Sequence, residues 1–511
     1  MNQISIKNVR SLEDIPTLDL KPLTVLLGKN SSGKSTFLRI FPLLKQSCSL
    51  MTRGVLSFFG DFVDFGEFKD IKTSNITDDF IELGFDVKVP QLLRHYYYYE
   101  GDSAEVCCFC KIKVQQSKTQ DLLYIAELEL DIDKNIIYVS FSESGNFLNF
   151  TINATSFVEY LCNVHANYER AVFFPSLIEK HNEKKEHFFN TPSSFYKPFL
   201  EIAKKFTSSK EMKIFHFVDR LPLVPIEKFL QTLEKQQDEK WTHKLIQHVK
   251  EHKEVDALYR SILFMQFPAI IDAINMYLFY LVQNIFYSKP LRANAERFYR
   301  SQSLTVNEIS PDGSNLVPFI NNLSSTRKTK FNTWTQEHFG FAIHVKKSGS
   351  HHSIILEEKG RSEQYNVTDM GFGFSQVIPI ITQLWDISTK SLNDERRRFS
   401  SREIIYTIEQ PELHLHPALQ ALVLETFVEV IAIARKSGFD IKIILETHSE
   451  TMINYLGKLV AQKKLSSDDI SLLIFEKKSP TSPTVLRKST YDTEGVLDNW
   501  PLGFFSATRG K

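Results

Sequence analysis

The sequence predicts an α/β protein: a P-loop head with a β-rich N-terminal lobe and a helical insertion. Three observations carry that prediction. A glycine-rich motif, "GKNSSGKST" (Gly28 to Thr36), stands between an apolar run, "PLTVLLG", and a segment of helical period. From about residue 55 to 155, apolar and polar residues alternate in short runs separated by turn residues. Toward the carboxy terminus, "SREIIYTIEQ" and "IKIILETHSE" read as buried strands on either side of the helical stretch "ALQALVLETFVEVIAIARKSG". Strand, helix, strand argues a parallel sheet.

The bulk composition narrows the class. The 511 residues are too many for one simple core. A hydrophobic share of 42% and a charged share of 24% are those of a folded globular chain. The net charge is zero, so any affinity for nucleic acid must rest on a local basic patch. The 41 phenylalanines predict a well-filled interior. Five cysteines, odd in number and unevenly spread, do not form a disulfide framework, so a reducing, cytoplasmic setting is expected. "EVCCFCKIKV" lacks the further Cys or His residues that a four-ligand metal site needs, and reads as strand core. The opening "MNQISIKNVRSLEDI" has no signal-peptide pattern. The most apolar run, Phe264 to Phe286, is long enough to span a bilayer, but Asp272, Asn275 and Pro268 make it a buried helix. No membrane partner is expected.

The elements follow in order. "QISIKNV" is a strand and "PLTVLLG" a second, fully apolar one. A helix is expected from about Ser35, with Phe37, Leu38, Phe41 and Leu44 on one face. "DFIELGFDVKV", "EVCCFCKIKV", "LLYIAELELDI" and "KNIIYVSF" form a meander, closing an N-terminal lobe over 1–155. Residues 156–286 read as a helical insertion. Its apolar residues hold no sustained heptad, and Pro222, Pro225 and Pro268 interrupt it, so it is compact rather than a coiled arm. Its Lys-rich runs read as solvated helix faces, with a nucleic-acid or partner surface as the alternative. Residues 287–511 form a C-terminal lobe. Gly438 marks the end of its long helix.

The chemistry is concentrated at strand ends. In "GKNSSGKST", Gly28 and Gly33 let the backbone of Asn30, Ser31 and Ser32 wrap phosphates. Lys34 reaches the outer phosphates, the Ser35 hydroxyl can hold Mg²⁺, and the helix amino terminus at Ser35 and Thr36 adds positive charge. In "IIYTIEQPELHLHP", the strand delivers Glu409 to its carboxyl end, where an acid can hold the hydration shell of Mg²⁺. "ETHSE" places His448 at the end of the next strand, near the γ-phosphate. "DMGFGFSQVIP" sets Gly371 and Gly373 before Ser375 and Gln376 at a helix start, a phosphate-recognising arrangement that a packed turn would also explain.

Taken together, these motifs resemble ABC-type ATPases of the SMC and OLD kind. The order is a P-loop near residue 30, a signature turn near 373, "EQPELHLHP", then "ETHS". "SKPLRANAERFY", "SPDGSNL" and "DNWPLGFF" extend the resemblance. It covers about the first 150 and the last 225 residues. Without long coiled coils or a TOPRIM nuclease pattern, the chain looks like the stand-alone AAA family ATPases of bacterial anti-phage operons, such as the Septu, PARIS and retron-associated ATPases. The resemblance implies ATP and Mg²⁺ as cofactors. It also implies a homodimer or higher homo-oligomer through the ATP sites. The P-loop of one subunit would meet Gly373, Ser375 and Gln376 of another, with His416 and Pro417 near the second subunit. It further implies an effector nuclease of HNH or TOPRIM type as partner, and nucleic acid such as a retron RNA–DNA. A Q-loop should follow the P-loop helix; "DFVDFGEFKD" fills that region, and Gln46 reads as a helix residue.

One departure shapes the expected chemistry. The family's catalytic glutamate follows the Mg-binding acid and so maps to Gln410. A glutamine can orient water but cannot accept its proton. General-base catalysis is worth about 10²–10⁴-fold, so slow turnover is expected, with Glu412 as a substitute base. Two other readings compete with an ATP-gated sensor and scaffold. A DNA-repair or end-processing ATPase would need a basic groove. A nuclease acting through "HLHP" would need residues already required at the nucleotide.

Overall fold

The computed structural model describes residues 1–49, 54–74, 79–91, 105–119, 122–168, 172–179, 192–208, 211–235, 240–300, 305–360, 363–393, 402–501 and 504–505. Residues 236–239 of the Lys-rich stretch and 502–503 of "DNWPLGFF" lie outside these. The chain forms two compact units, Met1–Asp19 with Leu43–Gln283, and Leu20–Pro42 with Asn284–Lys511. These boundaries differ from the division at 155 and 286 read from the sequence, and strand pairing is the reason. Leu23–Gly28 lies in parallel between Asp440–Glu446 and Ile470–Glu476, which ties the P-loop to the carboxy-terminal half. Gln3–Val9 pairs antiparallel with Ile81–Pro90, which ties the first hairpin to the meander.

The first unit is built on an eight-stranded antiparallel sheet. Its order is Leu12–Asp19, Gln3–Val9, Ile81–Pro90, Glu105–Gln116, Leu123–Ile132, Asn135–Phe141, Phe147–Ile152 and Thr155–Ser156. The alternating pattern is realised as an inward and an outward face. Glu105–Gln116 buries Val106, Cys108, Cys110, Ile112 and Val114, so "EVCCFCKIKV" is strand core. All five cysteines are free, and burial pushes the Cys48 thiol up to about 12. The expected helical segment does not begin at 156. An antiparallel hairpin, Val164–Asn167 with Ser176–Glu179, comes first. Helices then run from Lys197–Ala203 to Val255–Gln283. That last helix and Pro417–Lys436 are long and apolar enough to cross a membrane. Val255–Gln283 instead lies in the core of its unit, with Phe264 and Phe267 packed edge-on to Phe150 at 4.9 and 4.8 Å. Aromatic clusters of this kind account for part of the phenylalanine content.

The second unit holds a seven-stranded sheet. Its first five strands are parallel: Ile285–Ser288, Glu403–Glu409, Asp440–Glu446, Leu23–Gly28 and Ile470–Glu476. Val485–Tyr491 and Leu497–Asp498 add antiparallel strands. The parallel strands read as unbroken apolar runs because helices cover both faces of such a sheet. All seven residues of Glu403–Glu409 are buried. Helix Pro417–Lys436 joins two of these strands as the sequence predicts, with proline in its first turn and Gly438 left-handed (φ 76°) beyond its end. The helix after the P-loop differs from expectation. It breaks at Arg39 into Lys34–Leu38 and Ile40–Ser49. Pro42 has no N–H to offer the Leu38 carbonyl, and its ring crowds that carbonyl. Phe37, Leu38, Phe41 and Leu44 are nonetheless all buried.

Candidate functional site

Because the five central strands are parallel, their carboxyl ends share one edge, where ligands bind in such sheets. Leu23–Gly28 ends there in the glycine-rich loop. A Cβ on Gly28 would stand 2.4 Å from the Phe475 carbonyl oxygen and 2.8 Å from the Ser32 hydroxyl, at a φ of 145°. Only glycine fits that turn. Ser31 (φ 61°) and Gly33 (φ 102°) are also left-handed, the backbone conformation from which anion-binding nests are built. The Ser32 hydroxyl is buried there without a partner, and Thr36 is also buried. Asn30 is exposed at the rim.

Lys34 is buried and donates to the carbonyls of Gly28 and Lys29 at 3.1 and 2.9 Å. Its ammonium is 3.7 Å from Glu446. Burial lowers its pKa, against the pull of Glu446. A desolvated ammonium held by neutral carbonyls and one loose carboxylate is well placed to take an anion. The Ser35 hydroxyl donates to Glu446 Oε2 at 2.7 Å.

Glu409 ends the neighbouring strand, as predicted, but its carboxylate is already engaged. Arg39 grips it through Nε (2.6 Å) and Nη2 (2.8 Å), and the Tyr287 hydroxyl donates to it at 2.7 Å. The acid expected to hold the Mg²⁺ shell is thus paired here with Arg39 and Tyr287. The acid next to Ser35 is Glu446, the register partner of Glu409 across the two strands. Gln410 stands just beyond, left-handed (φ 44°), with its N–H bonded to the Glu446 carbonyl at 2.8 Å. Such a φ is costly for a side-chain-bearing residue and is held by its surroundings. Glu412 accepts the His448 N–H at 2.7 Å, which ties the two strand-end loops together, and burial raises its pKa. Desolvation and the Lys34 charge lower the pKa of His448.

The signature turn lies in the same unit. Helix Phe372–Asn393 begins inside it, after the left-handed Gly371. A Cβ on Gly373 would meet the His414 carbonyl oxygen at 2.6 Å, so glycine permits close approach of the "LHLHP" loop. Ser375 is buried. Gln376 is 2% exposed, and its amide brackets the backbone of Arg292 at 3.3 and 3.4 Å. Gln46 is likewise structural: its amide takes the N–H groups of Phe62 and Val63 and donates to the Ser57 and Val63 carbonyls.

Sequence reasoning passed over four residues here: Arg39, Tyr287, Arg292 and Glu446. Arg292 is 4% exposed, donates to the Glu409 carbonyl at 3.0 Å, and is pushed down to about 10 by burial. A signal existed for Glu446, an acid closing an apolar strand just as Glu409 does. Arg39 was a lone cation in the apolar "FLRIF". Among the described residues, no group of three or more His, Cys, Asp or Glu side chains is arranged to hold a metal ion.

The loop, the buried lysine and the acids at a parallel-sheet edge define a P-loop nucleotide-binding protein. A family model described as "AAA ATPase domain" matches residues 1–453, and the chain belongs to that family. No curated protein matches the sequence. Among solved structures, an SMC head bound to the C-winged helix domain of ScpA is similar at 9% identity, covering 95% of this chain and 97% of that one, with a TM-score of 0.37. The SMC head domain from Thermotoga maritima is similar at 8% identity, covering 96% and 98%, with a TM-score of 0.33.

Proposed function

We propose that the chain binds Mg-ATP, hydrolyses it slowly, and acts as an ATP-gated sensor and scaffold that controls a partner effector nuclease in anti-phage defence. The observation that carries the nucleotide part is the P-loop with Lys34 buried beneath it. Lys34 would leave the Gly28 and Lys29 carbonyls for the phosphates, and backbone amides of the loop would hold the oxygens between them. The donors present suit Mg²⁺, a hydroxyl and a carboxylate 2.7 Å apart at Ser35 and Glu446. Mg²⁺ would neutralise phosphate charge. Gln410, or Glu412 through its raised pKa, would meet the attacking water, and His448 would stand by the outer phosphate. A glutamine in place of a base supports slow turnover and a long-lived ATP-bound state. Gly373 and Ser375 would face the nucleotide of a second subunit. The defence role rests on the resemblance of the motifs to anti-phage ATPases. Lys34→Ala tests the reading: it should abolish ATP binding by calorimetry and ATP hydrolysis together. Normal ATP affinity in that variant overturns it.

A further inference from the structure

We propose that Glu446, and not Glu409, is the carboxylate that binds the divalent cation beside Ser35, and that Arg39 with Tyr287 keeps Glu409 from binding the metal directly. The inference rests on the nucleotide-binding reading above and goes beyond it by assigning the acid.

The two carboxylates are register partners on adjacent parallel strands, Glu409 opposite Glu446, and both are buried, at 2% and 3% exposure. Two buried like charges side by side need cationic partners. The chain supplies them from one short stretch, Lys34 toward Glu446 and Arg39 onto Glu409. The two pairs differ in kind. Arg39–Glu409 is a two-pronged fork with both contacts under 2.9 Å, reinforced by the Tyr287 hydroxyl on Oε1. Planar forks of this type are the strong form of ion pair. Opening this one leaves the Glu409 carboxylate desolvated without its cation, while Arg39 is 31% exposed. Lys34–Glu446 is a loose contact at 3.7 Å, and the lysine's hydrogen bonds go elsewhere.

Nucleotide binding separates the pairs further. When Lys34 turns to the phosphates, Glu446 loses its nearby cation while Glu409 keeps Arg39. The negative charge that then needs a counter-ion is Glu446, and its Oε2 already touches the Ser35 hydroxyl, the motif position that ligates the metal. Mg²⁺ is usually held by one or two carboxylates plus substrate phosphates, which one carboxylate and Ser35 satisfy. In this arrangement Glu409 fixes Arg39, and through its backbone carbonyl Arg292, rather than meeting the ion.

Mn²⁺ is a suitable probe, because bound and free ion are counted by electron paramagnetic resonance. ADP affinity is first measured in EDTA, then Mn²⁺ affinity in the presence of saturating ADP. Glu446→Gln should keep ADP affinity in EDTA and weaken Mn²⁺ binding by about 10- to 100-fold, at least the range of metal-site supporting groups. Glu409→Gln alone could unfold the unit by stranding Arg39. The paired variant Arg39→Gln with Glu409→Gln removes both charges, and should leave Mn²⁺ affinity close to that of the parent. Loss of Mn²⁺ in the paired variant overturns the assignment, as does retention in Glu446→Gln. If the parent chain does not bind ADP in EDTA, the nucleotide-binding reading falls and this one with it. If ADP binds and Mn²⁺ is indifferent to Glu446, only this one falls.

Discussion

Acid–base pairs stand on both large sheets, in opposite settings. On the antiparallel sheet, Lys111–Glu129 (3.0 Å) and Lys113–Glu127 (2.8 Å) bridge adjacent strands, and every one of these side chains is about a third exposed. At the carboxyl edge of the parallel sheet, Lys34–Glu446 has side chains 3% and 4% exposed, and in Arg39–Glu409 the acid is 3% exposed. The first pairs sit in water that screens them and add little. In the second pairs the carboxylates are desolvated, and Lys34 with them, so each of these charges depends on its partner, although Arg39 is itself 31% exposed. The chemistry of the side chains is the same in both places. What differs is whether solvent can replace the partner.

Breaking one pair from each sheet tests this contrast. The largest effect is expected for Arg39→Ala, which strands a buried carboxylate and should cost about 3 kcal/mol in urea unfolding, the low end for a broken buried pair because Arg39 is itself partly exposed. Adding Glu409→Gln should recover most of that loss. An Arg39→Ala loss no larger than that of a sheet-face variant would erase the distinction.

A smaller effect, on rate rather than stability, sharpens the picture of the same edge. Gln410→Glu places a carboxylate beside Glu446 and Glu409, and supplies a base where a glutamine stands. Steady-state ATP hydrolysis should rise about tenfold or more if Gln410 meets the attacking water. If Glu412 is the base, Glu412→Gln should be the damaging change and Gln410→Glu nearly silent. Equal rates in both variants and the parent would remove the "IEQPE" segment from hydrolysis.

The smallest effect belongs to the antiparallel face. Lys113→Ala should shift unfolding by less than about 1 kcal/mol, and less still in high salt. A loss matching that of Arg39→Ala would show that exposure does not separate the two sheets.

Much of the fold was legible. Period-two alternation placed the meander, because a half-solvated antiparallel sheet writes its two faces into the sequence. The unbroken apolar runs "IIYTI" and "IKIIL", with a capped helix between them, announced neighbouring parallel strands. The P-loop was legible because its glycines answer to local backbone demands, seen at Gly28 and Gly33. The hairpin at 164–179 was missed inside a segment dominated by helical patterns. The break at Arg39 could have been found from Pro42, whose effect reaches four residues back.

The sequence by itself determined the class of this protein. The motif, the strand before it and the helix after it are contiguous, and local backbone geometry is set by contiguous residues. It also delivered Glu409, Gln410 and His448 to one edge, since parallel strands end together. Only the tertiary structure decided which acid belongs to which cation. Ser35 and Glu446 are 411 positions apart, and Arg39 and Glu409 are 370 apart. No local pattern records such a pairing. It follows from strand order and register, which place Asp440–Glu446 next to the P-loop strand and Glu403–Glu409 one strand further out, within reach of Arg39. Burial then makes each pairing matter, because a charge removed from water is governed by the few groups that fold brings against it.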